Sequence, residues 1–454
     1  MQKTISKIPK SIKKVISIPG DKSVSHRSII FGAIARGPTE VTNFLTGEDC
    51  ICTMKAFQAL GVSIKESNDK VLIEGQGFSA LKPPEHEIYL GNSGTGMRLL
   101  AGLFAGLSFK TILSGDKSLS GRPMNRVIQP LTLMGACINS QDGGKAPLVI
   151  NPQNQAPNLH GINYQSPIAS AQVKSSILLA GLNADGITTV SEPEKSRDHT
   201  ERMLKYFGAD IQINGLSVSL NGPNSRNNLI GQKINVPSDI SSAAFFLVAG
   251  AILENAELRL SQVGINPTRT GILDALGLMN VKFNLENIDE TGAEPIADIL
   301  ISSSDIKGAV IDGDLIPRLI DEIPILAILA SQASGTTTIS NAEELRVKES
   351  DRVHTTINLL KALGIEVQEK PDGMIIQGQN KKPFNPHKTA WQDLSEHSYY
   401  VSDDKIVFDS HGDHRLAMSA AIAGLYSVKP IEILQVEFVN TSFPSFFEIL
   451  QSID

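Results

Sequence analysis

Cysteine is scarce in this chain. Three in 454 residues, Cys50, Cys52 and Cys137, are too few for a disulfide framework and lack zinc-ligand spacing. A reducing setting, the cytoplasm, is expected. Cys137 falls on a helix-to-strand turn and is expected to be buried. Aromatic residues are also sparse, at 5%, with a single Trp. No run of about 18 apolar residues occurs, so no membrane span is expected. The lysines at the start (Lys3, Lys7, Lys10, Lys13, Lys14) are not followed by the apolar segment of a secretory leader. An excess of positive charge is missing too, since the formal net charge is -7. Mild acidity disfavours a nucleic-acid or anionic-membrane partner. No Gly-x-Ser-x-Gly elbow is present.

What the chain does have is self-similarity. "IPGDKSVSHRSIIFGAIARGPTEV" from Ile18 runs turn, Asp, serines, small-residue helix, short turn, strand. "VPSDISSAAFFLVAGAILENAELRL" from Val236 repeats that plan, as do segments from Leu90, Ser166, Ile316 and Ser410. The anchors Asp21, Asn92, Ser170, Asp239, Asp321 and Asp413 are 71, 78, 69, 82 and 92 residues apart. Common solenoids repeat at roughly 20–50 residues, so this period is too long for them. Each copy is read as leading, after a variable gap, to a second segment with apolar residues at helical spacing, ending in Gly or Ala, and then a strand. Short alternating runs such as "VLIEG" and "MIIQG" read as strands. Six compact α/β units in two domains are expected, three per domain, and the length suits two large domains. One stretch, "NKKPFNPHKTAWQDLSEHSYYVSDD" from Asn380, has no period and reads as an inserted loop or extra hairpin.

Cations gather where these helices begin. Lys22 and Arg27 mark the first unit, and "SGDKSLSGRPMNRVI" adds Lys117, Arg122 and Arg126. "EKSRDH" adds Arg197, "ELRVKESDR" adds Arg346, Lys348 and Arg352, and "GDHR" adds Arg415. A helix start already favours anions, and arginine forks bind phosphate and carboxylate at two points. Any one of these cations alone reads as a solvated surface charge. Together they read as a clamp for one or two small polyanions. "GNSGTG" from Gly91 is neither a P-loop nor a dinucleotide fingerprint, but it lets backbone approach a ligand closely.

Acid and base candidates are Asp321, Glu322, Glu349, Asp351, Asp413, His26, His199 and His414. Aspartates at helix starts, Asp21, Asp198, Asp239 and Asp413, read first as caps. Asp321 is less bland, because Pro324 suits the first turn of the helix that follows it.

At this point "GDKSVSHR", "LGNSGTGMRLL", "LSGRPM", "SAQVKSSILLAGL", "RDHTERML", "DEIPILA", "ELRVKESDR" and "GDHRLAMS" resemble the 5-enolpyruvylshikimate-3-phosphate synthase family. The likeness covers nearly the whole chain, and "SAQVKS" and "RDHTE" are closer to its class II bacterial branch. It implies an α/β, two-domain enolpyruvyl transferase fold (an inside-out α/β barrel) of six βαβαββ units. Residues 1–20 plus 238–454 would form domain I and 21–237 domain II, with the site in the cleft between them. It also implies transfer of the enolpyruvyl group of phosphoenolpyruvate to shikimate 3-phosphate, the sixth step of the shikimate pathway. The shikimate 3-phosphate contacts carry over to Lys22, Ser23, Arg27, Ser170, Gln172, Arg197, Asp321 and Lys348. Those for phosphoenolpyruvate carry over to Lys22, Gly94, Arg122, Gln172, Arg352 and Arg415. Asp321 matches the base for the 5-hydroxyl, and Glu349, with Lys22 nearby, the proton donor to the methylene carbon. No cofactor or metal is implied, the partners are small molecules, and a monomer is expected.

The chain departs from the family in places. Many relatives have Ala at Gly96 and Pro at Leu99. Some have Ser at Ala171, so a contact there would come from backbone. A Lys used by other relatives is Thr441 here. Glyphosate-tolerant relatives often have Ala at Gly94, so glycine there implies a chain that binds glyphosate. The nearest rival is the enolpyruvyl transferase acting on UDP-N-acetylglucosamine, which usually carries a reactive Cys before its Arg-Pro; "GDKSLSGRP" has none. A non-catalytic phosphometabolite-binding homologue is disfavoured by the pair Asp321 and Glu349. A fused pathway polypeptide and an RNA phosphate cyclase relative are disfavoured by extent and by charge.

Overall fold

The computed structural model describes residues 1–454 except 9–10, 68–69, 153–158, 392, 395–396 and 454. The described residues divide into two compact units, Met1–Pro19 with Ser238–Asp289 and Pro295–Asp454, and Gly20–Pro237 with Glu290–Glu294. Gly20 and the short Glu290–Glu294 segment therefore go with the second unit, where a simple cut of the sequence gave them to domain I. Each unit has its own apolar core.

The unit containing Gly20–Pro237 holds three four-stranded sheets. Their strand orders are Lys233–Asn235, Arg36–Thr42, Lys70–Gln76, Ser63–Ser67; then Ile88–Tyr89, Thr111–Ser114, Lys145–Asn151, Cys137–Gln141; then Asn163–Gln165, Ile187–Ser191, Ser217–Asn221, Ile211–Asn214. In each, the first pair is parallel and the next two are antiparallel. A parallel pair needs a crossover, and in the second and third of these sheets the buried helices Gly94–Phe104 and Ala171–Gly181 supply it. In the first sheet the parallel partner comes from the far end of the unit, so its last strand completes its first repeat.

The other unit has two sheets of the same pattern. Their orders are Ile12–Ile16, Ala256–Gly264, Ile296–Ser302, Phe283–Asp289, and Val310–Ile311, Thr336–Ile339, Gly373–Gln377, Val367–Lys370. Its third sheet is varied. Gln2–Ile5 pairs antiparallel with Ile431–Leu434, which runs parallel to Ile406–Asp409, and Tyr399–Val401 is added at the edge. The stretch from Asn380 thus ends in a hairpin strand. Six repeats of sheet and helix, three in each unit, match the expected fold class.

The first helix of each repeat is largely buried, because beyond the polar residues of its opening turns its sequence is apolar or small. Every residue of Ile240–Ile252 is buried. Capping fixes where five of these helices begin: Asp21, Ser93, Ser170, Asp239 and Asp413 each accept an N–H from the first turn. The helices Gly94–Phe104 and Ala171–Gly181 meet at Gly102, where an added Cβ would lie 2.1 Å from the Ser176 carbonyl oxygen. The second helices are amphipathic. His199–Phe207 stops at Gly208, which takes φ +100°, a conformation that favours glycine. Cys137 is exposed, contrary to expectation, because it opens an edge strand and faces out. Among the described residues no helix is long and apolar enough to cross a membrane.

Candidate active site

In the Gly20–Pro237 unit, the capped helix starts bring most of their candidates into hydrogen-bonded groups. Lys22 is half-buried and pairs with Asp49 at 3.3 Å. Ser23, one residue on, gives its carbonyl to Arg27 Nη1 at 3.0 Å. Arg27 is itself buried, and its Nε and Nη2 donate to Thr200 Oγ1 and Ser175 Oγ at 2.7 and 2.9 Å. Burial pulls its pKa down to about 10, still far enough above neutrality to keep the charge.

The glycine turn forms a second group. Arg98 Nη1 donates to the Gln172 Oε1 atom at 2.8 Å and to the Gly94 carbonyl at 3.3 Å. Gln172 Nε2 donates to Thr95 Oγ1 at 3.0 Å. Arg122 Nη2 donates to Asn92 Oδ1 at 2.6 Å. A methyl added at Gly94 would lie 2.9 Å from Arg98 Nη1 and 3.3 Å from Arg122 Nη1. Both are flexible side-chain ends, so the substitution moves the arginines rather than the backbone.

Ser170 belongs to a third group, which also holds Ser196, the sequence neighbour of Arg197. The Ser170 N–H donates to Glu192 Oε1 at 2.9 Å. Ser196, beside Arg197, donates its hydroxyl to Glu192 Oε2 at 2.8 Å. Lys174 Nζ lies 2.7 Å from both Glu192 and Glu201, and all three side chains are at most 3% exposed. Burial disfavours a charged lysine, yet the carboxylates of Glu201 and Glu192 outweigh it and hold the Lys174 pKa above its ordinary value.

In the other unit one arginine is the centre. Arg352 is 1% exposed. Its Nε donates to Asp413 Oδ2 at 2.8 Å, its Nη1 to Asp321 Oδ1 at 3.2 Å and its Nη2 to Glu349 Oε2 at 2.6 Å. The candidate base and the candidate proton donor thus share one guanidinium. Burial opposes that charge, but the three carboxylates raise the Arg352 pKa above its ordinary value. Burial would raise the Asp413 carboxyl, and Arg352 beside it holds it below the usual range instead. Asp413 also caps its helix through the Arg415 N–H at 2.9 Å, so the capping reading captured half its role.

The remaining candidates vary. Arg415 has one ionic contact among the described residues, to Glu322 at 3.9 Å, too long for a hydrogen bond. Glu322 is fully buried and takes the Ser241 hydroxyl. Lys348 stands apart, paired with Glu344 at 3.3 Å. Thr441 turns its hydroxyl to the Phe438 carbonyl at 2.7 Å. Asp198 begins its helix without capping it and holds Arg202 at 2.9 Å.

Two histidines weighed as catalysts are buried and neutral. Burial, then Lys22 and Arg27, lowers His26 to about 3. Burial, then Arg415, lowers His414 to about 4. Between those values and the ordinary 6.5, the unfolded chain binds protons that the folded chain refuses. Stability is therefore expected to fall as pH drops through that window, by about 1.5 kcal/mol per histidine between pH 6.5 and pH 5. Urea unfolding at the two pH values checks this. An unchanged midpoint for both units would show that these imidazoles titrate normally.

Sequence reasoning passed over Arg98, Lys174 and Glu192. Arg98 carried a signal, four residues after Gly94 on one helix face. Lys174 lay inside a recognised motif. Glu192 is an isolated residue before a proline, and nothing local marks it.

This arrangement of repeated sheets is the fold of the enolpyruvyl transferases. The solved enolpyruvyl transferase NikO from Streptomyces tendae superposes with a TM-score of 0.76 over 99% of this chain and 96% of its own, at 16% identity, a likeness of fold alone. The chain belongs to the EPSP synthase (3-phosphoshikimate 1-carboxyvinyltransferase) family, whose profile matches residues 6–450. The 3-phosphoshikimate 1-carboxyvinyltransferase of Bacillus cytotoxicus is 48% identical over 98% of both chains, and that of Bacillus subtilis is 47% identical over 96% of both. The structure of EPSP synthase from Acinetobacter baumannii is 46% identical, with a TM-score of 0.87 over 100% of this chain and 98% of that one.

Proposed function

We propose that this chain transfers the enolpyruvyl group of phosphoenolpyruvate to the 5-hydroxyl of shikimate 3-phosphate and releases phosphate. The reading is supported by family membership along nearly the full length. The observation that carries it is Arg352, one buried guanidinium shared by two carboxylates, Asp321 and Glu349, that the chemistry needs as base and acid.

The reaction begins with protonation of the methylene carbon of phosphoenolpyruvate, the role given to Glu349, with Lys22 as the second candidate. Cationic character builds at the adjacent carbon, beside the substrate carboxylate. Asp321 takes the proton of the 5-hydroxyl as its oxygen attacks that carbon. A tetrahedral ketal phosphate results. Loss of phosphate and of a methyl proton then restores the alkene. The donor must reach the methylene carbon and the acceptor the 5-hydroxyl.

Both substrates are anions, and holding them together is a large part of the work. Arg27, Ser170, Gln172 and Arg197 serve shikimate 3-phosphate in this reading, with Lys22, Ser23 and Lys348. Arg122, Arg352 and Arg415 serve phosphoenolpyruvate, with Gly94 allowing close approach. An incoming carboxylate competes with Glu349 for Arg352.

Phosphate release from phosphoenolpyruvate tests the reading, run with shikimate 3-phosphate and separately with UDP-N-acetylglucosamine. Release only with the first, inhibited by glyphosate at low phosphoenolpyruvate, is expected. Release with the sugar nucleotide keeps the fold and moves the pathway. Release with neither makes the chain a binding protein.

A further inference from the structure

We propose that Glu192 is a positioning residue for the shikimate 3-phosphate half of the site, an inference that rests on the function proposed above. Its carboxylate is 2% exposed and serves three donors. The Ser170 N–H reaches Oε1 at 2.9 Å, while the Ser196 hydroxyl and the Lys174 ammonium reach Oε2 at 2.8 and 2.7 Å. These donors lie on two different segments. Ser170 opens the helix that carries Gln172, and Ser196 precedes Arg197 in the loop before the His199–Phe207 helix. One buried carboxylate thus fixes two segments whose side chains the proposed function assigns to one ligand.

A carboxylate suits the task for a simple reason. All three partners are donors, so both oxygens must accept. Glutamine in the same place offers one oxygen and an amide N–H₂. Either the Ser170 N–H or the Lys174 ammonium then faces another donor, and a segment must move. The buried lysine is not abandoned in that variant, because Glu201 lies 2.7 Å away on its other side. Glu192→Gln is therefore expected to fold. Its effect falls on ligand geometry, where a displacement of about 1 Å can cost about a hundredfold.

The test is titration calorimetry of shikimate 3-phosphate into wild type, Glu192→Gln and Ser196→Ala, beside kinetics for both substrates and thermal melting. Ser196→Ala removes only one hydrogen bond at the edge of the cluster, and it decides the matter should Glu192→Gln not fold. Glu192→Gln is expected to weaken shikimate 3-phosphate about tenfold in binding and in KM, with KM for phosphoenolpyruvate within about threefold. Ser196→Ala is expected to move the same quantity about two- to threefold, with melting lowered by about a few degrees at most. Wild-type binding in both variants overturns the proposal. So does an equal rise in both KM values, or a fall in kcat alone. Calorimetry separates this from the activity: a wild type that binds shikimate 3-phosphate without releasing phosphate sinks the proposed reaction and still lets Glu192 be judged.

Discussion

Asp321→Asn is expected to lower the rate of phosphate release by about 10²–10⁴-fold, with little change in KM for either substrate. The substitution keeps size and shape, and the amide oxygen can still accept from Arg352 Nη1, now 3.2 Å from Oδ1. It removes the capacity to take a proton, together with one of the three negative charges on Arg352. Stability is expected to change little, because Asp321 is one of three carboxylates on Arg352 and is 17% exposed. Binding of shikimate 3-phosphate is expected to survive. Turnover in the variant within about threefold of wild type would remove Asp321 from the role of base. A matching loss in binding would make it an anchor instead.

The repeats were legible because each is made of local signals. Turn, cap, small-residue helix and strand all show within about 30 residues, and the anchors lie at or next to the helix starts seen in the structure. Asp21, Ser170, Asp239 and Asp413 are themselves N-cap residues, while Asn92 and Asp321 stand one position before Ser93 and Glu322. What was not legible is long-range. Nothing in "QKTI" announces that Gln2–Ile5 pairs with Ile431–Leu434. Nothing in "KIN" places Lys233–Asn235 beside Glu40–Thr42.

The same division holds in the site. The cations at helix starts could be read from spacing. That Arg27 is buried against Thr200 and Ser175 could not, since those partners lie 173 and 148 positions away. Glu192 was invisible for the same reason: its meaning lies in three donors that only the fold assembles. His26 and His414 show the converse. Though candidates for acid–base work, they read first as structural turn histidines, and burial, which the local sequence does not reveal, leaves them neutral.

Arg352→Met is expected to cost both stability and activity, and the two losses can be separated. Removing the guanidinium leaves Asp413, which is fully buried, without a cation. Breaking a buried pair from one side typically costs about 3–5 kcal/mol. For a unit of this size that corresponds to a fall in melting temperature of roughly 6–20 °C. Adding Asp413→Asn removes the stranded charge while keeping a residue type that caps helices well. The double variant is therefore expected to recover much of the stability. It is not expected to recover phosphate release, because the cation proposed for the phosphoenolpyruvate carboxylate is still missing. Melting and phosphate release on both variants decide between the accounts. A single variant as stable as wild type would mean that Asp413 does not depend on Arg352. A stable double variant that still turns over would mean that Arg352 holds the fold and not the substrate.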